Sequence, residues 1–389
     1  MFHKKTIVGG SAWRWAAIIG ISWAHSEVSA QDFWFEGGPI ARGGFQVRVA
    51  GSSYAQTFGL HSAPAPLASP AGVGSPTAYS DRLYNDGYVK LDAGTLNPNA
   101  IGGPGNTWNW AYNNSGQFNS GANTLAFHQP GDPGYTTLRN DPVTGQAEAT
   151  APGLQLLMGW NWVKNEVWRV DFAIGFQGVW GATSRLGATS YLERKSRLDV
   201  TDVYDVASTV DPVTGFPLPQ TAPSGYQGSY GNPGPAFSNT PSSRSTQRTD
   251  LSTAANQMNF RFDTDLYEIT LGPRITWEAT SKIHLNLTPK LGVSYISMTA
   301  DRTEVLTETA TGGGTSTLGT WHDHRTAGVW RFTTGLTAGA DVDLGKGYYA
   351  GIFGGYQWTV DDVRIAIGPN TASLNPSGFV AGLVLGRRF

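Results

Sequence analysis

The 389-residue sequence has no cysteine, few charged residues (14%) and, past its first thirty positions, no long apolar run. Without cysteine there is no disulfide scaffold, no cysteine-ligated zinc, no iron–sulfur cluster and no thiol nucleophile. A formal charge of −2 offers no electrostatic attraction for nucleic acid, so none is expected as a partner. No later stretch approaches the roughly 20 apolar residues that a membrane-spanning helix needs. What is abundant is glycine (50) and proline (22), the two poorest helix formers. Aromatic residues reach 12% in a chain only 40% hydrophobic, so apolar side chains are dispersed and not gathered in blocks.

Residues 1–30 read as a secretory signal peptide. His3, Lys4 and Lys5 form a basic start, residues 16–24 a short apolar core, and Val28-Ser29-Ala30 a small-residue cleavage site. The apolar core is too short for a membrane anchor. Its removal takes three of the 27 basic and one of the 29 acidic residues, leaving residues 31–389 with a net charge of −4.

From residue 153 onward, apolar residues recur with period two. Leu154, Leu156, Met158, Trp160 and Trp162 form one stripe, and Trp168, Val170, Phe172, Ile174, Phe176 and Trp180 the next. The same alternation runs through Tyr267–Trp277, Ile283–Tyr295, Trp330–Val342, Tyr348–Val360 and Phe379–Phe389. Strict alternation over about ten residues is the signature of a tilted membrane strand, longer than the mode of about 5–6 in soluble sheets. Trp and Tyr gather at the ends of the stripes, as interfacial girdles require. The fold class expected is therefore all-β: a transmembrane antiparallel up-and-down β-barrel.

Turn lengths orient it. The connections 164–166, 279–282 and 345–347 are short and expected in the periplasm, whereas 57–150, 182–256, 300–325 and 362–377 are long and expected outside the cell. Seven strands follow residue 153, and Phe45, Val47 and Val49 alternating with Gln46, Arg48 and Ala50 supply an eighth. Ten strands is the alternative, with a further hairpin from 82–91 and 107–113. Asp-Pro-Val-Thr-Gly occurs at 141–145 and 211–215 and reads as turn chemistry. Residues 211–247, rich in Pro, Gly, Ser and Thr, are expected to be mobile and cleavable near Arg244 and Arg248.

The signal peptide, the amphipathic strands and the terminal Phe389 resemble those of bacterial outer-membrane β-barrel proteins, both small monomeric and porin-like. That resemblance implies that Phe379, Leu383, Leu385 and Phe389 form a signal read by the barrel-assembly machinery. Arg387 departs from the usual aromatic or apolar residue there. It further implies a cell outer-membrane location, a monomer, and as partners membrane lipid, lipopolysaccharide and periplasmic chaperones.

Little in the chain suggests catalysis. His322-Asp323-His324 and the trio Asp199, Asp202 and Asp205 are weak metal candidates that lack further ligands, and neither metal nor cofactor is expected. Of the histidines, only His284 lies on a confident strand, near a periplasmic turn, and no nucleophile–base pair can be named. The expected lumen is more informative. Arg48, Arg169, Arg274, Lys290 and Arg331 would face Asp171, Glu268, Glu278, Asp341 and Asp343, with His284 among them. In a barrel just wide enough for side chains, such charges must pair. The chain is therefore expected to be a non-enzymatic barrel presenting large surface loops. A porin-like channel is the alternative, and a lipid-modifying enzyme stands further back.

Overall fold

The computed structural model describes residues 33–58, 67–96, 104–107, 109–206, 226–227 and 237–389. The expected signal peptide and much of segment 211–247 lie outside the described residues. The long strands are β1 (Phe33–Gly51), β2 (Val143–Lys164), β3 (Trp168–Ala188), β4 (Ser243–Glu278), β5 (Ile283–Ala310), β6 (Thr315–Gly345), β7 (Tyr348–Thr359) and β8 (Gly378–Arg388). Each pairs antiparallel with its neighbours in sequence. β8 pairs with β1, with Gly37 opposite Leu385, so the sheet is ring-like and returns on itself.

Alternation explains why these segments are strands and which way they face. On the lower half, nearest the short turns, Met158, Phe176, Ile269, Leu287, Leu336, Ile352 and Leu383 point outward and are exposed. Gln155, Gln177, Glu268, Thr288 and Thr337, on the same strands, point inward and are buried. Trp160, Trp168 and Trp277 end this apolar belt below, and Trp180, Tyr267, Trp330 and Trp358 end it above. The turns are made as the sequence suggests. Asn165 Oδ1 accepts the Trp168 amide at 2.6 Å, and Gly345, Lys346 and Gly347 all take positive φ.

Above the belt the strands continue, which shortens the expected loops. The segment 300–325 is a hairpin of β5 and β6 joined at 311–314. Its inward residues include Arg302 and Glu304, so no apolar stripe announced it. The segment 362–377 is a hairpin of Val363–Ile367 and Asn370–Asn375, whose second strand pairs with β1. Within 182–256, β4 already begins at Ser243 and pairs with the strand Tyr191–Asp205. Arg244 and Arg248 are thus in paired strand and not in a mobile loop. Within 57–150, β2 starts at Val143, and Thr124–Pro130 and Gly134–Asn140 pair with Tyr191–Asp205. Arg82–Tyr84, Gly87–Val89 and Trp110–Tyr112 form a separate small sheet with Tyr226–Gln227 and do not enter the ring, contrary to the ten-strand alternative.

A second correction concerns β1. Phe45, Val47 and Val49 point inward and Arg48 outward, the reverse of the expected facing. The register slips between Gly43 and Phe45, where Gly44 adopts φ +92°. The extra residue is a bulge, and a one-residue slip exchanges the two faces of a strand. Below it Trp34, Glu36, Ile40 and Arg42 face in, and above it the odd-numbered residues do.

Candidate functional site

The ring's interior is filled in layers. At the bottom, Arg169 pairs with the buried Asp171 at 2.9 Å, and His284 is buried with neither ring nitrogen hydrogen-bonded among the described residues. Glu278 stands opposite His284 in register, and Asp343 caps its own turn by accepting the Gly345 amide at 2.7 Å. In the next layer Arg274 bridges Glu36 and Asp341, the latter at 2.6 Å, with its guanidinium over the Trp34 ring at 4.7 Å. Tyr349 donates to Glu36 at 2.9 Å, and Asn286 to Asp341 at 3.2 Å.

Higher up, Lys290 donates to Gln155 at 3.3 Å and lies over the Phe353 ring. Glu268 then gathers Arg42 at 3.3 Å, Ser294 at 3.1 Å and Gln357 at 2.7 Å. A buried ion that accepts several charge-assisted bonds recovers much of its desolvation cost, whereas an unpaired one does not. The cavity between Glu36, Gln155, Arg274, Lys290 and Asp341 measures about 10 Å³, which is room for about one water.

Above the charged layers comes an apolar one. The hairpin 363–375 turns Val363, Ile365, Ile367 and Leu374 into the same cluster as Phe45, Phe260, Phe262, Ile296 and Met298. Arg42 Nη2 holds the foot of this hairpin through the Pro376 carbonyl at 2.9 Å. Over it lies a polar clasp. Glu304 accepts the amides of Tyr54 and Ala55 and the amide nitrogen of Asn256, and pairs with Arg302. Arg302 reaches Asp323 at 3.1 Å, and Tyr54 donates to the same carboxylate at 3.0 Å.

Of the expected lumen residues, Arg169, Asp171, Glu268, Arg274, Lys290 and Asp341 come together inside. Arg331 bonds backbone carbonyls of Trp330 and Asp362 at the upper rim, and Arg48 is outside. Sequence reasoning missed Glu36, Arg42, Tyr349 and Gln357. Glu36 and Arg42 sit at even spacing with Trp34 and Ile40, a signal interrupted by Gly37, Gly38 and Pro39. Phe379, Leu383, Leu385 and Phe389 all face outward on the belt or at its end.

Outside the ring, Tyr84, Val89, Trp110, Leu125, Phe127 and Tyr204 build a second small core. Asp202, buried beneath it, accepts Tyr84 at 2.6 Å and both Nε and Nη2 of Arg244 at 2.6 Å. Burial pushes the Tyr204 hydroxyl up to about 12 and raises that of Tyr84 as well. Arg82 is wholly buried on the carbonyls of Ser75, Ala78 and Asn239. The metal candidates separate. His322 and His324 face outward onto Thr303 and Asp301, Asp323 faces inward, and among the described residues no three potential ligands gather.

The chain matches no protein-family model and no curated protein. Solved structures that it resembles are bacterial outer-membrane β-barrels. The outer-membrane protease OmpT of Escherichia coli is 7% identical, with a TM-score of 0.29 over 93% of this chain and 98% of that one. Ail, the attachment invasion locus protein of Yersinia pestis, is 9% identical, with a TM-score of 0.19 over 90% and 98%. A Pseudomonas aeruginosa FadL homologue is 8% identical, with a TM-score of 0.21 over 92% and 90%. Identities this low transfer no activity.

Proposed function

We propose that this chain is an eight-stranded outer-membrane barrel, closed to conduction, that carries a folded platform outside the cell for surface interaction or envelope structure. The lumen supports this reading most directly. Three charged layers and an apolar layer are stacked across it, and the cavity left among Glu36, Arg274, Lys290 and Asp341 is only about 10 Å³. The exposed belt of Leu, Ile, Phe and Met between two rows of Trp and Tyr fits the hydrocarbon of a bilayer. Membrane lipid and lipopolysaccharide would cover that belt, and the assembly machinery would insert it. The short turns would then face the periplasm, and the upper sheets the exterior. Planar-bilayer recording of the refolded protein tests the reading: no steady openings are expected. Large, steady openings would favour a porin-like channel instead.

A further inference from the structure

At the top of the ring, above the clasp of Arg302 and Glu304, the wall opens into a vestibule. Its inner lining comes from three directions: Glu193 and Lys195 from the strand Tyr191–Asp205, Ser252 from β4, and Glu308 from β5, with Tyr135 and Leu318 beside them. The inner part measures about 190 Å³. It shares Lys195, Ser252 and Glu308 with a wider cleft of about 420 Å³ towards the tip of the β5–β6 hairpin. The buried cluster of Ala55, Tyr191 and Leu306, with Trp321 against it, belongs to the same upper end. Only with the wider cleft included does the size reach that of an ordinary small-molecule site.

The lining chemistry is unbalanced. Glu193 is 2% exposed, lies beside the Tyr191 hydroxyl, whose proton its charge helps to hold, and among the described residues has no cationic partner. Ser252 Oγ donates to Glu308, which likewise lacks one among the described residues. Lys195 places its ammonium 5.6 Å over the Tyr135 ring and forms no ion pair among the described residues. Two carboxylates and one ammonium therefore line one concave space without neutralising each other. Each carboxylate has more acceptor sites than the donors that reach it, and charges left in such a space favour any ligand that pairs with them.

We propose that the vestibule binds a small solute or peptide end bearing a free ammonium group, with a carboxylate as its secondary handle. The ammonium lies between Glu193 and Glu308, and the carboxylate meets Lys195. The excess of one negative charge makes the ammonium the essential group. This site adds a ligand to the platform and does not depend on the lumen being closed, so the bilayer recording and the binding test fail independently.

Calorimetry on the refolded full chain in detergent, with glycylglycine, its C-terminal amide and its N-acetyl derivative as probes, decides it. Saturable binding of glycylglycine and its amide is expected, with N-acetylation weakening it about tenfold or more, as loss of a charge-assisted bond implies. Glu308→Gln should weaken both ammonium-bearing probes, and Lys195→Gln should erase the difference between acid and amide. Both side chains are half-buried at the rim, so these variants complement Glu193→Gln, where a buried group is changed. Equal binding of the N-acetyl derivative, no saturable binding of any probe, or unchanged affinities in both rim variants would overturn the proposal.

Discussion

Arg42 and Glu268, 226 positions apart in the chain, meet inside the ring at 3.3 Å, with neither side chain more than 1% exposed. Neither residue is held by this contact alone. Arg42 also anchors the foot of the 363–375 hairpin through Pro376, and Glu268 also gathers β5 and β7 through Ser294 and Gln357. The pair thus fastens the charged layers to the apolar layer above.

Removing one partner should be costly. Arg42→Met is expected to destabilise the protein by about 3–5 kcal/mol, because Glu268 is left charged and buried. Adding Glu268→Leu to Arg42→Met should recover much of that loss, since an apolar replacement of a buried pair is often neutral. Urea unfolding in lipid vesicles measures both. No recovery in the double variant would mean that the remaining bonds of Glu268 matter more than the pair.

The two faces of β5 and β6 should respond differently to the same substitution. Leu287→Arg and Leu336→Arg place a charge in the lipid belt and should cost about 2–4 kcal/mol near the midplane. Thr337→Arg points into the filled lumen and should instead weaken heat resistance in detergent as well as in lipid. Equal behaviour of all three in both media would contradict the facing.

Protection from protease should follow the external ion pair. Arg244 grips Asp202 with two nitrogens and the carbonyls of Val73 and Gly74 with its remaining contacts. Trypsin added to intact cells should therefore spare Arg244, and Asp202→Asn should expose it. Rapid cutting at Arg244 in the unaltered protein would show that β4 frays this far up.

High pH should loosen the platform before the ring. The hydroxyl of Tyr204 ionises near 10 when unfolded and at about 12 when folded, so the folded state holds its proton more tightly. The stability this contributes is complete below about pH 10 and is lost as pH rises through about 12. Tyrosinate absorbance, followed alongside cleavage at Arg82 or Arg244, should show the two changes together. Tyr204→Phe should remove part of that pH dependence.

Deleting Phe389 is expected to slow insertion by the assembly machinery. Phe389 also closes the ring locally: its amide donates to the Phe33 carbonyl at 3.0 Å, and its ring lies 6.2 Å from that of Phe33. Arg387 lies over both Tyr348 and Phe389, so Arg387→Tyr should be tolerated. The rate of folding into vesicles, with and without purified assembly complex, separates the signal from the local contact. Equal slowing in both would assign the effect to the contact alone.

The sequence was legible wherever the two faces of a strand differ sharply in polarity. Leu285, Leu287 and Leu291 against His284, Thr288 and Lys290 could be read directly, and so could the turns 279–282 and 345–347. Legibility failed at Arg48, because nothing in Gly43-Gly44 signals that one residue will bulge and invert the faces. It failed again above the belt, where Arg302 and Glu304 face inward and imitate a polar loop. The partnerships themselves, Arg42 with Glu268 and Arg274 with Glu36, depend on which strands close the ring and are not encoded locally.

The bulge at Gly44 marks a reversal of inside and outside along a single strand. Below it the chain is built inside out, polar at the centre and greasy at the rim; above it Phe45, Val47 and Val49 turn inward and the surface becomes hydrophilic, as in any protein that lives in water. The two halves therefore answer to different hydrophobic forces. In the outer-membrane placement proposed above, extraction from the bilayer withdraws only one of them, and the upper half retains the driving force that water supplies.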